Sequence, residues 1–258
     1  MVNRNRALTL MAISIVVLVG TSILFDFGVI RFFDDEITNT LFCYTMSRAI
    51  TALLFIFVIK FYYSDRAFYI TNGGFKGLLW SVPCILVALA NFPYSALLSG
   101  KATIVRSDIM YLYVFYTLAT AIYEELVFRG FITLFIFSFF LRNSHKYVFT
   151  VLISSAVFAL MHTLNFAGGY SVYTLLQIGY TFLIGCMLSS LYLYTKNLFL
   201  CMGIHAIFNF GGLLIRTLGR GDPWDLVFWI LTGVCAAFCA THIIITMIKL
   251  DKRNSYVS

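Results

Sequence analysis

Two adjacent glutamates, Glu124 and Glu125, lie inside a long apolar stretch of this chain, residues 109–141. The chain contains only one other glutamate, Glu36, and no other acidic side chain falls inside an apolar segment. A carboxylate at membrane depth is costly unless it is paired, neutralised or hydrated, and such residues usually mark functional sites. A structural ion pair with Arg129 accounts for one of the two glutamates. The second glutamate is not explained by this ion pair and therefore indicates a catalytic role.

Helix geometry separates the roles of the two glutamates. Residues four apart share a helix face, whereas adjacent residues point about 100° apart. Glu125 and Arg129 are therefore neighbours on one face, with the acid on the N-terminal side, which is the better orientation for an ion pair. We predict that Arg129 neutralises Glu125. Glu124 faces a different neighbour and is then the carboxylate available for catalysis.

The composition indicates a polytopic helical membrane protein. Of the 258 residues, 61% are hydrophobic and only 11% are charged, and the mean hydropathy is +0.91, whereas soluble domains carry about 25% charged residues. The net charge of +7 fits basic residues concentrated in cytoplasmic loops, and no basic run suggests nucleic-acid binding. The six cysteines fall in apolar segments without metal-ligand spacing, which indicates small buried side chains rather than disulfides.

Hydropathy predicts an all-α fold of about eight transmembrane helices in one bundle, a single domain over residues 1–258. The apolar segments cover residues 7–25, 41–63, 77–98, 109–141, 147–164, 171–195, 198–218 and 226–249. The third segment should kink at Asn91–Pro93. The fourth is about 50 Å long as one helix, against a membrane core of about 30 Å, so we expect a break at Gly130. Arg48, in the second segment, is expected to extend toward the lipid headgroups.

The distribution of lysine and arginine predicts the orientation in the membrane. With the N-terminus inside, eleven of the 18 basic residues lie in cytoplasmic segments and five in outer loops. Lys60, Arg216 and Lys249, at the ends of their segments, are counted with the adjacent loops, and the remaining two, Arg48 and Arg129, lie deeper within the spans. Because basic residues concentrate on the cytoplasmic side, we predict a multi-pass protein of the cell membrane with both termini in the cytoplasm.

Polar side chains in later segments complete a set of groups suited to hydrolysis. His162 lies one turn after Phe158, and Asn209 lies one turn after His205 on the same face. A carboxylate can act as general base on a water, imidazoles can orient that water or bind a metal, and an amide can stabilise an oxyanion. These residues predict a polar intramembrane cavity in which water reacts.

Three short motifs follow one another along the chain: Glu124-Glu125-x-x-x-Arg129, Phe158-x-x-x-His162 and His205-x-x-x-Asn209. In this order they resemble the motifs of the CAAX-protease and bacteriocin-processing family of intramembrane proteases, also called the Abi family. Each motif alone is short, and their specificity comes from the order and the partner residues. The resemblance covers about residues 111–210.

The resemblance implies a role for each residue. In the family the first glutamate activates water, the histidines position it or hold a metal, and the asparagine helps to stabilise the oxyanion. The positions that match those roles are Glu124, His162, His205 and Asn209, with Glu125, Arg129 and Phe158 in support. Members are described both as metalloproteases and as glutamate-dependent proteases without a metal. Zinc on Glu124, His162 and His205 is therefore an alternative to direct activation of water, although the sequence has no HExxH motif.

The expected function is an intramembrane endopeptidase that acts on a membrane-associated peptide or a lipidated protein. The family includes enzymes that trim prenylated C-terminal tails and proteins that process, or give immunity to, small secreted peptides. By analogy, a short chain without added domains suits bacterial processing of a bacteriocin or signalling peptide, with a prenyl-tail protease as the alternative. A non-catalytic scaffold or immunity protein is a further alternative. A proton-coupled transporter is disfavoured because no inverted repeat is present.

Overall fold

The computed structural model describes residues 9–17, 20, 30–63, 75–168 and 172–255, and helices dominate it. Residues 9–17 are helical. The following helices are α1 Glu36–Tyr63, α2 Phe75–Trp80, α3 Val82–Ala90, α4 Tyr94–Leu98, α5 Met110–Glu125, α6 Leu134–Phe139, α7 Lys146–Met161, α8 Val172–Thr195, α9 Leu198–Leu218 and α10 Leu226–Ser255. A π-helix, Leu126–Thr133, joins α5 to α6. Short 3₁₀ turns occupy Ser107–Ile109 and His162–Gly168, and two strands are β1 Ala102–Ile104 and β2 Gly219–Gly221.

Within the described residues, five helices are long and apolar enough to cross a membrane. They are Glu36–Tyr63, Lys146–Phe166, Thr174–Thr195, Leu198–Leu218 and Leu226–Lys252. Large apolar side chains of α10, such as Leu226 and Val234, are mostly exposed on the outside of the bundle, as expected of a face that contacts lipid. The all-α polytopic class is confirmed. The number of eight spans stays a prediction, because residues 7–8, 18–19 and 21–25 of the first segment lie outside the described residues.

The third apolar segment kinks where the sequence predicted. α3 ends at Ala90 and α4 begins at Tyr94, which leaves the Asn91–Pro93 break between them. The Asn91 side chain donates a hydrogen bond to the Phe208 carbonyl of α9 at 2.9 Å. A Cβ atom on Gly211 would lie only 3.0 Å from the Phe92 backbone, so glycine permits this close approach. The kink therefore packs against α9 within two turns of its catalytic candidates.

The fourth apolar segment does not break at Gly130, and that prediction is wrong. The path from α5 to α6 stays helical but widens into the π-helix, which contains Gly130. A Cβ atom on Gly130 would come within 2.7 Å of Ile59 Cδ1, so the glycine serves the close approach of α1. Single π-helical turns are frequent at functional sites, and this one begins directly after Glu125.

α1 and the α5–π-helix segment run parallel and in step. Three contacts join them at the same offset of 68 residues: the Arg48 guanidinium over the Tyr116 ring, the Phe55 ring against Tyr123, and the Tyr63 hydroxyl bonded to the Phe131 carbonyl. A constant offset requires two helices with the same direction and nearly the same rise. Residues of α1 and α5 that are 68 positions apart therefore lie at the same depth along the bundle.

One end of the bundle is held by a small sheet and an ion-pair cluster. β1 pairs antiparallel with β2, and Arg106 contacts both Asp35, at 2.9 Å, and Asp108. The Arg106 guanidinium holds the pKa of Asp35 well below its usual range. Asp35 also caps α1, since it accepts hydrogen bonds from the Thr38 amide and hydroxyl. The loops before α1, before α5 and after α9 therefore lie at the same end.

The connections before α7 and between α8 and α9 lie at the opposite end. The Tyr147 amide donates to Asp251 Oδ1 at 3.2 Å, which brings the start of α7 to the end of α10. The Lys196 ammonium lies 5.8 Å from the centre of the Phe137 ring, and burial lowers the pKa of Lys196 to about 8. Loops thus alternate between the two ends, as a chain that crosses a membrane repeatedly requires.

Reporter fusions will test which end is cytoplasmic. A fusion at Met1 and a fusion at Ser258 should both report the cytoplasm, because basic residues concentrate at that end. External signals from both fusions would reverse the predicted orientation. Signals from opposite sides would mean an odd number of spans.

Candidate active site

The Glu125–Arg129 ion pair predicted from helix geometry is present and fully buried. Arg129 Nη1 donates to Glu125 Oε1 at 2.8 Å, and neither side chain is more than 1% exposed. The Arg129 guanidinium also lies 4.6 Å from the centre of the Phe158 ring. Three buried atoms of the pair, Glu125 Oε2 and Arg129 Nε and Nη2, have no hydrogen-bond partner among the described residues. Each member of the pair therefore depends strongly on the other.

His205 of α9 joins the two glutamates. Its Nδ1 lies 2.7 Å from Glu125 Oε1, and its Nε2 lies 3.5 Å from Glu124 Oε2. Because a carboxylate accepts hydrogen bonds, Nδ1–H donates to Glu125 and turns Nε2 toward Glu124. Glu125 thus orients the imidazole in addition to pairing with Arg129. Sequence reasoning missed this contact, since 80 residues separate the two partners.

The two adjacent glutamates occupy different environments. Glu124 retains 19% side-chain exposure, whereas Glu125 has none. Among the described residues, Glu124 has no ion pair with an arginine or lysine, and its charged-group contact is His205. The 100° turn between neighbouring helix positions explains the difference. The Glu124 carboxylate is therefore partly accessible from outside the protein, whereas that of Glu125 is not.

His162 lies where α7 ends and a 3₁₀ turn begins. Its Nδ1 donates to the Phe158 carbonyl at 3.0 Å, which leaves Nε2 as the free nitrogen of a neutral ring. The imidazole packs edge-on against the Phe158 ring, with centroids 5.1 Å apart. No ion pair within 4 Å joins His162 to either glutamate in the described part of the chain. His162 therefore flanks the Glu124–His205 contact without touching Glu124.

The Phe158 ring brings the three sequence motifs together. It is 1% exposed and lies between the imidazoles of His162 and His205, with the His205 centroid 6.1 Å away. It also contacts Phe128 and the guanidinium of Arg129. Counting residues along upright helices places the two histidines at different depths. Because both imidazoles pack against the Phe158 ring, the two histidines lie at a similar depth in the structure.

Asn209 follows His205 by one turn of α9 and is half-buried. Its backbone carbonyl accepts a hydrogen bond from the Tyr113 hydroxyl at 3.4 Å, and the same hydroxyl bonds the next carbonyl at 2.6 Å. Within the described chain, no hydrogen bond of the Asn209 side-chain amide is found. That amide therefore remains able to donate to a ligand.

The donor types at this site suit zinc, but their spacing does not. Each imidazole anchors Nδ1 on an oxygen and presents Nε2, which is the usual arrangement of zinc-binding histidines. Glu124 supplies a carboxylate beside His205. Nevertheless, no three histidine, cysteine or acidic side chains in the described ranges lie close enough together to share a metal ion. We therefore derive the chemistry below from the side chains alone and leave zinc to experiment.

A large cavity lies beside this site, not on it. Its volume is about 2010 Å³, and α3, α8, α9 and α10 contribute most of its mixed apolar and polar wall. Tyr116 and Phe208 belong to that wall, whereas none of the four catalytic candidates does. Tyr116 lies two turns before Glu124 on α5, and Phe208 is adjacent to Asn209. The cavity thus lies next to the candidate site and extends to the loop after α9, where Asp222 lines it.

Comparison with known proteins supports the family resemblance. Residues 106–211 match the family described as type II CAAX prenyl endopeptidase Rce1-like. No curated protein matches the chain, and no solved structure does. The matched stretch contains every residue of the site described above, which confirms the predicted resemblance to the CAAX-protease family. This family match implies a membrane protease of the CAAX type.

Proposed function

We propose that this protein is an intramembrane endopeptidase in which Glu124 activates the attacking water. The observation that carries the proposal is the bridge made by His205 between Glu124 and the buried Glu125–Arg129 pair. The bridge supports different roles for the two glutamates. The buried pair orients the imidazole of His205, and Glu124 keeps access to water. Glu125 also accepts hydrogen bonds from both Arg129 and His205, which lowers the cost of burying these three groups.

The reaction then follows from the protonation states of these groups. Ionised Glu124 removes a proton from water, and the resulting hydroxide attacks the scissile carbonyl carbon. The Asn209 amide donates to the oxyanion of the tetrahedral intermediate. Protonated Glu124 returns its proton to the leaving amine as the C–N bond breaks, which regenerates the carboxylate. The products are a carboxylic acid and an amine.

His205 supports this cycle by holding a proton-accepting atom next to Glu124. With Nδ1–H bonded to Glu125, a neutral His205 presents the Nε2 lone pair to a carboxylate oxygen 3.5 Å away. Two lone pairs facing each other repel unless a proton or a water hydrogen lies between them. The contact therefore favours a water, or a protonated group, at the position where the reaction starts. His162 keeps its Nε2 free, and we propose that it orients the same water once substrate is bound.

We infer that the substrate is a lipid-modified protein tail rather than a secreted peptide. The description of the matched family names prenylated CAAX substrates, and the large cavity beside the site supports entry of an apolar chain from the bilayer. This preference departs from our analogy with bacterial peptide processing, which rested on chain length alone. The expected partners are the lipids of the surrounding membrane and a prenylated peptide substrate.

An assay with purified protein in liposomes tests the proposal. We expect cleavage of a farnesylated peptide with a free C-terminal tail and much slower cleavage of the same peptide without the lipid. Cleavage of a secreted-peptide precursor instead would restore the peptide-processing assignment. If the folded protein cleaves neither, the scaffold alternative replaces the protease.

The amide of Asn209 is expected to act in turnover rather than in binding. Asn209→Ala should lower kcat about 100-fold or more with little change in KM, which is the usual loss for one oxyanion donor. Steady-state kinetics on the farnesylated peptide will measure both constants. A rise in KM at constant kcat would instead make Asn209 a substrate-binding residue.

Metal dependence separates the two catalytic types. If Glu124 activates water directly, protein freed of metal by chelators should keep full activity, and elemental analysis should find no stoichiometric zinc. If zinc is required, chelation should abolish activity, and about one equivalent of zinc should copurify with the protein. Restoration of activity by added zinc would establish the second alternative.

A further inference from the structure

Arg48 is a second arginine inside a membrane-spanning helix, and its side chain is expected to extend toward the headgroups. Its guanidinium lies 5.0 Å from the Tyr44 ring centre, one turn nearer the start of α1, and 4.8 Å from that of Tyr116. Arg48 as a whole is half-buried, but its Nη1 atom is buried and has no hydrogen-bond partner among the described residues. The extension toward the headgroups stays a prediction, and the Tyr116 contact shows that the guanidinium also faces α5.

The surroundings of Arg48 differ from those of Arg129 in one decisive respect. Arg129 is neutralised by Glu125, whereas no described carboxylate lies within 4 Å of Arg48. Two aromatic faces stabilise a cation by cation–π attraction, but they supply no acceptor for its N–H groups. A guanidinium with a desolvated, unpaired N–H favours an anionic ligand with oxygen acceptors.

The parallel packing of α1 and α5 fixes the position of this cation relative to Glu124. Arg48 lies level with Tyr116, and Glu124 follows Tyr116 by two turns, or about 12 Å along the helix. An extended peptide covers about 3.3 Å per residue, and the separation therefore corresponds to three or four residues.

We propose that Arg48 binds the free C-terminal carboxylate of the substrate tail, three or four residues beyond the scissile bond held at Glu124. This inference rests on the proposed protease function and adds the group that sets where the tail is cut. A carboxylate supplies the oxygen acceptors that the buried Nη1 lacks. Tyr44 and Tyr116 hold the guanidinium in place before the substrate arrives.

Paired substrates test the proposal. One farnesylated peptide carries a three-residue tail with a free carboxylate, and its twin ends in an amide. For the wild-type protein, kcat/KM should be about 10- to 100-fold higher for the acid, mainly through KM, which is the scale of one charge-assisted hydrogen bond. In Arg48→Gln this preference should disappear because the acid substrate loses activity, while the amide substrate keeps its rate. Arg48→Lys should restore part of the preference.

The length of the tail provides a second, independent readout. Three extra residues move the carboxylate by about 10 Å, so the longer acid and amide substrates should be cleaved at similar rates by wild type and Arg48→Gln. A merely structural role of Arg48 would lower the rates on all substrates equally and would overturn the proposal.

Arg216 is the competing cation, because it lies in the last turn of α9 and lines the large cavity. If Arg216→Gln, and not Arg48→Gln, abolishes the preference for the acid, the carboxylate is recognised at the cavity and the assignment to Arg48 is wrong. Equal wild-type cleavage of acid and amide would also refute it while leaving the protease intact. Absence of any cleavage by the wild type would instead refute the proposed function.

Discussion

Glu124→Gln should lower turnover at least 100-fold, the usual scale for loss of a general base, while the fold stays intact. Glutamine keeps the shape of the side chain and can still contact His205, but it cannot take a proton from water. Because Glu124 is partly exposed and lies outside the Arg129 ion pair, its neutralisation leaves no buried charge unpaired. The measurement is kcat on the farnesylated peptide, together with the thermal unfolding temperature in detergent.

The chain offers a control in Asp34, an acidic residue outside the site. Asp34 lies exposed just before α1 and does not line the cavity, so Asp34→Asn should retain turnover. A Glu124→Gln protein with normal turnover would remove Glu124 from the mechanism. A Glu124→Gln protein that is inactive because it unfolds would make Glu124 a structural residue.

Arg129→Ala should destabilise the protein by about 3–5 kcal/mol, the cost of breaking a buried ion pair by removing one partner. Glu125 would keep its contact with His205 but lose the arginine that neutralises it, and Phe158 would lose the guanidinium packed on its ring. Activity should fall as well, because the Phe158 ring that packs against both histidines would lose the guanidinium that supports it. Denaturation monitored by circular dichroism will measure the loss of stability.

Two further variants separate charge from packing at this position. Arg129→Lys keeps the charge but loses the planar guanidinium, so it should recover only part of the stability. Arg142→Ala, in an exposed loop, should change stability by less than about 0.5 kcal/mol. An Arg129→Ala protein of normal stability that is nevertheless inactive would move Arg129 from support into catalysis.

Local helix geometry was sufficient to predict part of the site. The Glu125–Arg129 pair and the different environment of Glu124 both follow from the 3.6-residue period, because the partners lie within one turn of each other. The kink at Asn91–Pro93 was also predictable, since proline removes a backbone donor wherever it occurs. These features depend on residues close together in the chain and need no knowledge of how the helices pack.

Contacts between distant helices were decided only by the tertiary structure. The spacing of the motifs suggested that His205 belongs to the site but not that it bonds Glu125, and counting residues along upright helices places the two histidines at different depths. Gly130 was misjudged for the same reason, since it permits the approach of Ile59 from a neighbouring helix. The contact of Arg48 with Tyr116 likewise depends on how two helices pack.

The amino-acid sequence by itself determined the membrane class, the local ion pair and the residue types of the site. Helix tilt, the π-helical turn and the packing around Phe158 decided which of those residues meet. Hydropathy and periodicity are properties of one helix, whereas tilt and register depend on how side chains of several helices fill the space between them. A pattern along the chain therefore specifies the face that a residue occupies, but not its partner across the bundle.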